Sequence, residues 1–344
     1  MRTLGLILLT LLSLPLRGEV VADLYSATVP VSSQSSAALA SASRDALAEI
    51  FVKVSGSSEV LSNPAIDSAL KEARSRVQQY AYVRDEQGEG GLSARFEFES
   101  DFVTRTVTDA GAPLWTANRP RVLVWMVLEQ NGERYFVNSE TQPELAEELL
   151  AAFSSRGVPA QLPLFDLTDS TTISTEEVWR LYAPALEQAS SRYQVEDILV
   201  GRAVMLSTGS WTGDWSYLRG INRIDRSITA PQSYGFLQSG AGMVAEDMAG
   251  RYAVVASGNG QQGVRMAVTG VHHYADYAGI VSWLESLELI EHANVELISG
   301  DRIELRLHAH GDAQQLASVI GLEPRLLPLP ATAAGSGLDY QWTN

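Results

Sequence analysis

Apolar positions along the chain switch repeatedly between a period of two and a period of three to four, which predicts short strands alternating with amphipathic helices. Tyr25, Ala27, Val29 and Val31 alternate with Leu24, Ser26, Thr28 and Pro30, as on a half-buried strand. After a serine-rich start, Leu39, Ala42, Ala46, Leu47, Ile50, Phe51 and Val54 recur at helical spacing, with Arg44, Asp45 and Glu49 opposite. Ser55-Gly56-Ser57-Ser58 supplies the stop. Asn63-Pro64 then starts a second helix, read through Ala69, Ala73 and Val77 to about Tyr80. The segment LSARFEFESDF alternates as a strand and TRTVTDAG closes the unit, so residues 19–117 read as β-α-α-β-α.

A turn at Asn118-Arg119-Pro120 opens a second unit over 118–256. Val122 to Leu128 is nearly unbroken in apolar residues, the pattern of a strand covered on both faces. Helices over 143–155, 175–193 and 233–252, a short strand in VPAQLPL, a strand in ILVGRAVML and the extended pieces GDWSYL and INRIDRSIT complete the unit. The third unit, 257–330, reads β-α-β-β-α-β, a split βαβ pattern, and the tail 331–344 reads as flexible and polar. The fold class is therefore α/β to α+β, three small modules in series.

The N-terminus changes the picture. Met1 and Arg2 precede the apolar run Leu4–Leu16, too short to span ~30 Å of hydrocarbon and followed by small residues, which predicts a signal peptide over 1–18. Cleavage falls after Gly18 or after Ala22, the former leaving VVADLYSATVPV for the first strand. The absence of cysteine excludes disulfides, thiolate chemistry and a lipidated lipoprotein anchor. A net charge of −16 argues against nucleic acid as a partner, and the chain after the leader holds no apolar stretch of spanning length.

Candidate chemistry is sparse. Gly258-x-Gly260-x-x-Gly263 has dinucleotide-loop spacing but follows a helix and opens a strand, so it reads as a linker. Gly209-Ser210-Trp211-Thr212-Gly213 has the glycines of a nucleophile elbow with tryptophan where serine is required. Glu147-Glu148 and Glu176-Glu177 are sequence neighbours that do not face one another on a helix. His308 and His310 stand two apart on one strand face, either a metal or pH-responsive pair or an ordinary wet face with Glu304 and Arg306. Trp211, Trp215 and Tyr217 cluster near a hairpin, either as partner anchors or as packing against a sheet edge. No cofactor is expected.

Three stretches carry a resemblance: Leu24-Tyr25-x-Ala27-x-Val29-Pro30-Val31, Ile50-Phe51-Val52-Lys53-Val54-Ser55-Gly56, and Leu186-x-x-Ala189-x-x-Arg192-Tyr193 with Ile198-Leu199-Val200-Gly201-Arg202. Together with Trp211 and Trp215 they resemble the exported Gram-negative domain-of-unknown-function family 2066 over most of residues 20–250. That resemblance implies an exported protein and supplies no catalytic residues. The second unit is similar in element order to the N-terminal domain of the Tol-system translocation protein and to curli-assembly and penicillin-binding-protein-activator lipoproteins, and the third to small βαββαβ modules of envelope machinery. The expectation is a periplasmic scaffold or adaptor that binds another envelope protein through an exposed strand edge or the tryptophan hairpin. An envelope-polymer hydrolase with carboxylates at a domain interface, or a metal- or small-ligand-binding protein, is the alternative.

Overall fold

The computed structural model describes residues 18–84, 91–255, 263–330 and 338–343. The Leu4–Leu16 run and all of the glycine joint except Gly263 lie outside them. The architecture is mixed α/β with several small sheets, none closed.

The first module packs helix Ser36–Ser55 on a three-stranded antiparallel sheet ordered Ser26–Pro30, Leu92–Phe98, Val77–Arg84. Ser35 caps the helix by accepting from Ala38 N, and Gly56, at φ 77°, ends it. All seven apolar positions read from its periodicity are buried. The second helix is shorter than expected: it runs Pro64–Lys71, then Ala73–Arg76, and Val77–Arg84 is a strand. The helical spacing of Ala69, Ala73 and Val77 hid the alternation that starts at Val77, where Tyr80 and Tyr82 share one face.

The central sheet runs Asn222–Ala230, Trp211–Arg219, Asp197–Met205, Val122–Gln130, with Glu133–Phe136 and the two-residue Ala160–Gln161 both beside the last. Asp197–Met205 and Val122–Gln130 are parallel, the rest of the long strands antiparallel. Helices Pro143–Ser154 and Ser233–Tyr252 cover one face, around Val122, Val124, Met126 and Leu199. Residues 173–189 cover part of the other, around Leu123, Trp125, Val127 and Val200. This double cover explains the unbroken apolar run. The single helix expected over 175–193 is instead Thr175–Trp179, Ala183–Ser190 and a 3₁₀ turn, broken at Leu181, whose φ is 52°.

The third module has the expected β-α-β-β-α-β order plus one more strand. The sheet is ordered Ile290–Ser299, Arg302–Ala309, Val264–Thr269, Leu338–Trp342, Leu326–Pro328. The tail expected to be flexible thus contributes a strand parallel to Val264–Thr269, with Leu338, Tyr340 and Trp342 buried. Alternating LDYQW carries enough apolar surface to claim that place between two strands.

Residues 113–120 join the modules. Asn118–Pro120, expected as a turn, is a short buried strand paired with Gly18–Val20, and Pro113–Leu114 pairs with Val254–Val255. Buried apolar residues of the first and third modules form one continuous cluster. No helix among the described residues is long and apolar enough to cross a membrane.

Candidate functional site

The tryptophan hairpin does not present its rings to a partner. On strand Trp211–Arg219, period-two alternation sends Trp211, Trp215 and Tyr217 to the helix-covered face, and their exposures are 6%, 0% and 2%. Trp215 lies between two glycines. A Cβ on Gly201 would meet its ring at 2.3 Å and one on Gly240 at 2.6 Å. Its indole N–H donates to Phe236 O at 3.0 Å. The Tyr217 hydroxyl donates to Asp197, which also pairs with Arg251 at 3.1 Å. Burial pushes both the Asp197 carboxyl and the Tyr217 phenol above their ordinary ranges. The expectation of exposed anchors is corrected: these residues hold the central core together.

His308 lies on the wetter face of its strand, but the strand ends at Ala309 and His310, expected on it, follows one residue past its end; both are half-buried. His308 is in register with His292 on the neighbouring strand, and His310 Nε2 lies 3.1 Å from Glu291. Among the described residues no group of three or more His, Asp or Glu side chains converges as a metal site.

What stays open is the other half of the central sheet. Because 173–189 covers only part of that face, the polar alternates of three strands are left around a recess of about 540 Å³. Arg202, Thr212, Asp214, Ser227, Thr229 and Trp179 line it. Arg202 Nε donates to Asp214 at 2.8 Å and its Nη1 to Trp179 O at 2.9 Å. Ser227 donates to the other Asp214 oxygen, and the Thr212 and Thr229 hydroxyls are 2.9 Å apart. Desolvation raises the Asp214 carboxyl, but Ser227 and Arg202 outweigh it and hold the pKa below the usual range. Trp179 is half-buried under Arg134, whose guanidinium carbon lies 4.0 Å from the ring centroid.

The recess adjoins a free sheet edge. Strand Asn222–Ala230 keeps an uninterrupted nine-residue register with Trp211–Arg219, and among the described residues no strand pairs with its outer side. The comparable edge Ile290–Ser299 is broken by two register shifts, and Glu285 accepts from its Ala293 N–H at 3.1 Å. Val77–Arg84, outermost in its own sheet, has one register shift, so Asn222–Ala230 is the longest outermost strand with an unbroken register among the described residues. Sequence reading assigned no role to Trp179, Arg202, Asp214, Ser227 or Thr229. For the four strand residues the signal was the polar alternation on paired strands, and which face it decorated depended on the incomplete cover; Trp179, on helix Thr175–Trp179, gave no such signal.

The groove between the first and third modules, about 380 Å³, carries Asp101, Glu285 and Glu288. Glu285 is spent on Ala293 N, and Glu288 accepts from the Tyr25 hydroxyl at 3.2 Å and Ala117 N at 3.4 Å. Of these carboxylates, Glu288 serves the interface as a hydrogen-bond acceptor.

A comparison with curated proteins gives no match. The expected resemblance to family 2066 over residues 20–250 is overturned: the family model that matches, over residues 19–116 and thus the first module, is the one described as Domain of unknown function (DUF8605).

Proposed function

We propose that this chain is an exported adaptor of the cell envelope that receives an extended segment of a partner protein along strand Asn222–Ala230. The observation that carries this reading is the regular, unpaired edge lying beside the Trp179–Arg202–Asp214 recess. An added strand gains main-chain hydrogen bonds along the edge, and its alternate side chains fall over the recess, which selects among segments. Arg223, Asp225 and Arg226 decorate the edge, and Arg226 is tied to Glu246 at 3.2 Å. Such charges discourage edge-to-edge pairing of two copies and leave the strand for a segment of matching charge pattern. The leader-like run Leu4–Leu16 supports export, and with it a partner in the envelope.

Photo-cross-linkers placed at Arg223 and Thr229 in living cells test the reading, with Tyr234 on the neighbouring helix as the control. One discrete adduct at both edge positions, absent at Tyr234 and lost in an Ile224→Pro background that still folds, is the expected result. Equal labelling at Tyr234, or adducts that survive Ile224→Pro, overturns edge pairing.

A further inference from the structure

A second cavity, of about 290 Å³, lies on the same side of the central sheet but under the 165–175 segment. Three aromatic rings wall it. Trp125 and Phe165 meet edge to face at 5.7 Å, Phe136 and Phe165 at 5.1 Å, and Trp125 and Phe136 at 6.1 Å. Ile173 closes the apolar lining. An engineered apolar cavity of roughly 150 Å³ takes up benzene, so this volume suits one substituted ring.

The polar groups of the cavity are unequal. Asn138, 8% exposed, lines it. Its Oδ1 accepts from Glu140 N at 2.9 Å, Thr141 N at 2.7 Å and the Thr141 hydroxyl at 2.9 Å, which fixes the orientation of the amide. Its Nδ2 has no acceptor among the described residues, so a buried carboxamide offers two uncommitted donors. Asp169, also at the wall, is already committed. It accepts from Phe165 N at 2.9 Å, from Arg192 at 3.0 Å and from the Tyr193 hydroxyl. Arg134 at the rim is shared between Glu129, at 2.9 Å, and Glu176. One cation facing two carboxylates gives an anion no welcome.

Phe165 itself sits at φ 52°, a left-handed conformation that is strained for an aromatic residue. The hydrogen bond from its N–H to Asp169 and that from Leu164 N to the Tyr193 hydroxyl, at 2.8 Å, hold the turn there. Backbone strain held by a network, with the strained ring forming a cavity wall, is the arrangement found where a pocket is kept open.

We infer that this cavity is a binding site for a small, uncharged, monocyclic aromatic molecule bearing a carbonyl-type acceptor, the ring lying against the wall formed by Trp125, Phe136 and Phe165 and the acceptor taking the Asn138 Nδ2 donors. It is separate from the edge strand and stands whether or not a partner adds there.

Benzamide is the probe, and the Asn138 side-chain amide resonances, assigned by their loss in Asn138→Asp, are the readout. Benzamide shifts those resonances saturably, and benzoate binds more weakly because its charge faces the same donors beside two carboxylates. Asn138→Asp keeps the Oδ1 acceptor but removes the donors, so binding of acetophenone, a carbonyl acceptor with no N–H to give the new carboxylate, followed by ligand-observed saturation transfer, falls about ten-fold. Ile173→Trp fills the cavity and abolishes binding. No saturable shift up to about 10 mM benzamide, or equal affinity of the original protein and Asn138→Asp for acetophenone, overturns the site.

Discussion

Arg119 is fully buried and donates to four main-chain carbonyls, Thr116, Trp115, Gly157 and Lys53, each at 2.8 Å, while its guanidinium stacks on Trp115 at 3.8 Å. Burial pulls its pKa below the ordinary guanidinium range, with Glu288 and then Tyr25 opposing. Those carbonyls belong to the first module, the 113–120 joint and the central module, so one side chain satisfies three segments. Arg119→Ala strands buried acceptors and costs about 3–5 kcal/mol in denaturant unfolding. Arg119→Lys recovers little of this, because an ammonium lacks the planar fork that reaches several carbonyls at once. Trp215 gives a second test at this scale. Gly240→Ala places a methyl where the indole already lies, 2.6 Å away, and destabilises by about 1–3 kcal/mol. The burial of Trp211, Trp215 and Tyr217 was half legible in the sequence: Gly201 within an apolar strand and Gly240 within a helix mark close approach. That the indole fills the gap between them required knowing that the strand and helix cross there.

Among the elements, those with one dominant pattern were readable and those carrying two were not. Val122–Gln130 was legible because both its faces are covered, and helix Ser36–Ser55 because its stripe and caps agree. Val77–Arg84 was lost to a helical spacing running into it, and the break at Leu181 left buried residues on the same period either side. Leu338–Trp342 was hidden by the Gly- and Ala-rich residues before it. That last strand makes a direct prediction. Removing residues 331–344 takes away buried Leu338, Tyr340 and Trp342 and uncovers Val264–Thr269, so amides of 264–269 lose hydrogen-exchange protection while those of 122–130 keep theirs.

The turn around Phe165 is an element with a pH signature. The Arg192 hydrogen bonds, helped by Asp169 N, hold the Asp166 carboxyl well below its ordinary range. A lowered folded-state pKa stabilises above the unfolded value of about 3.9 and loses that contribution as pH falls through the folded one. The Tm gap between the original protein and Asp166→Asn is therefore full at neutral pH and narrows as the pH drops below about 4. The cavity walled by Trp125, Phe136 and Phe165 was not legible at all, since its residues come from three segments whose meeting depends on this turn.

At the scale of the molecule, the modules are packed together, with the 113–120 joint, the shared core of the first and third modules and the Tyr25–Glu288 hydrogen bond between them. The central sheet is left incomplete in two ways, one half-covered face and one free edge, and both occur at strand Asn222–Ala230. Its one neighbour, Trp211–Arg219, fixes its register residue by residue, so the edge is a preformed template on which the proposed strand addition would cost little reorganisation. The edge itself was legible as an extended piece, INRIDRSIT, but its outermost place in the sheet was not, because strand order is set by long-range pairing.

Hydrogen exchange on the isolated complex with whichever protein cross-links at Arg223 and Thr229 tests the proposed adaptor role. With strand addition at this edge, amides within 222–230 become strongly protected on complex formation while the inner strand Asp197–Met205 is unchanged. Protection confined to other surfaces, with 222–230 exchanging as fast in the complex as in the free chain, contradicts it.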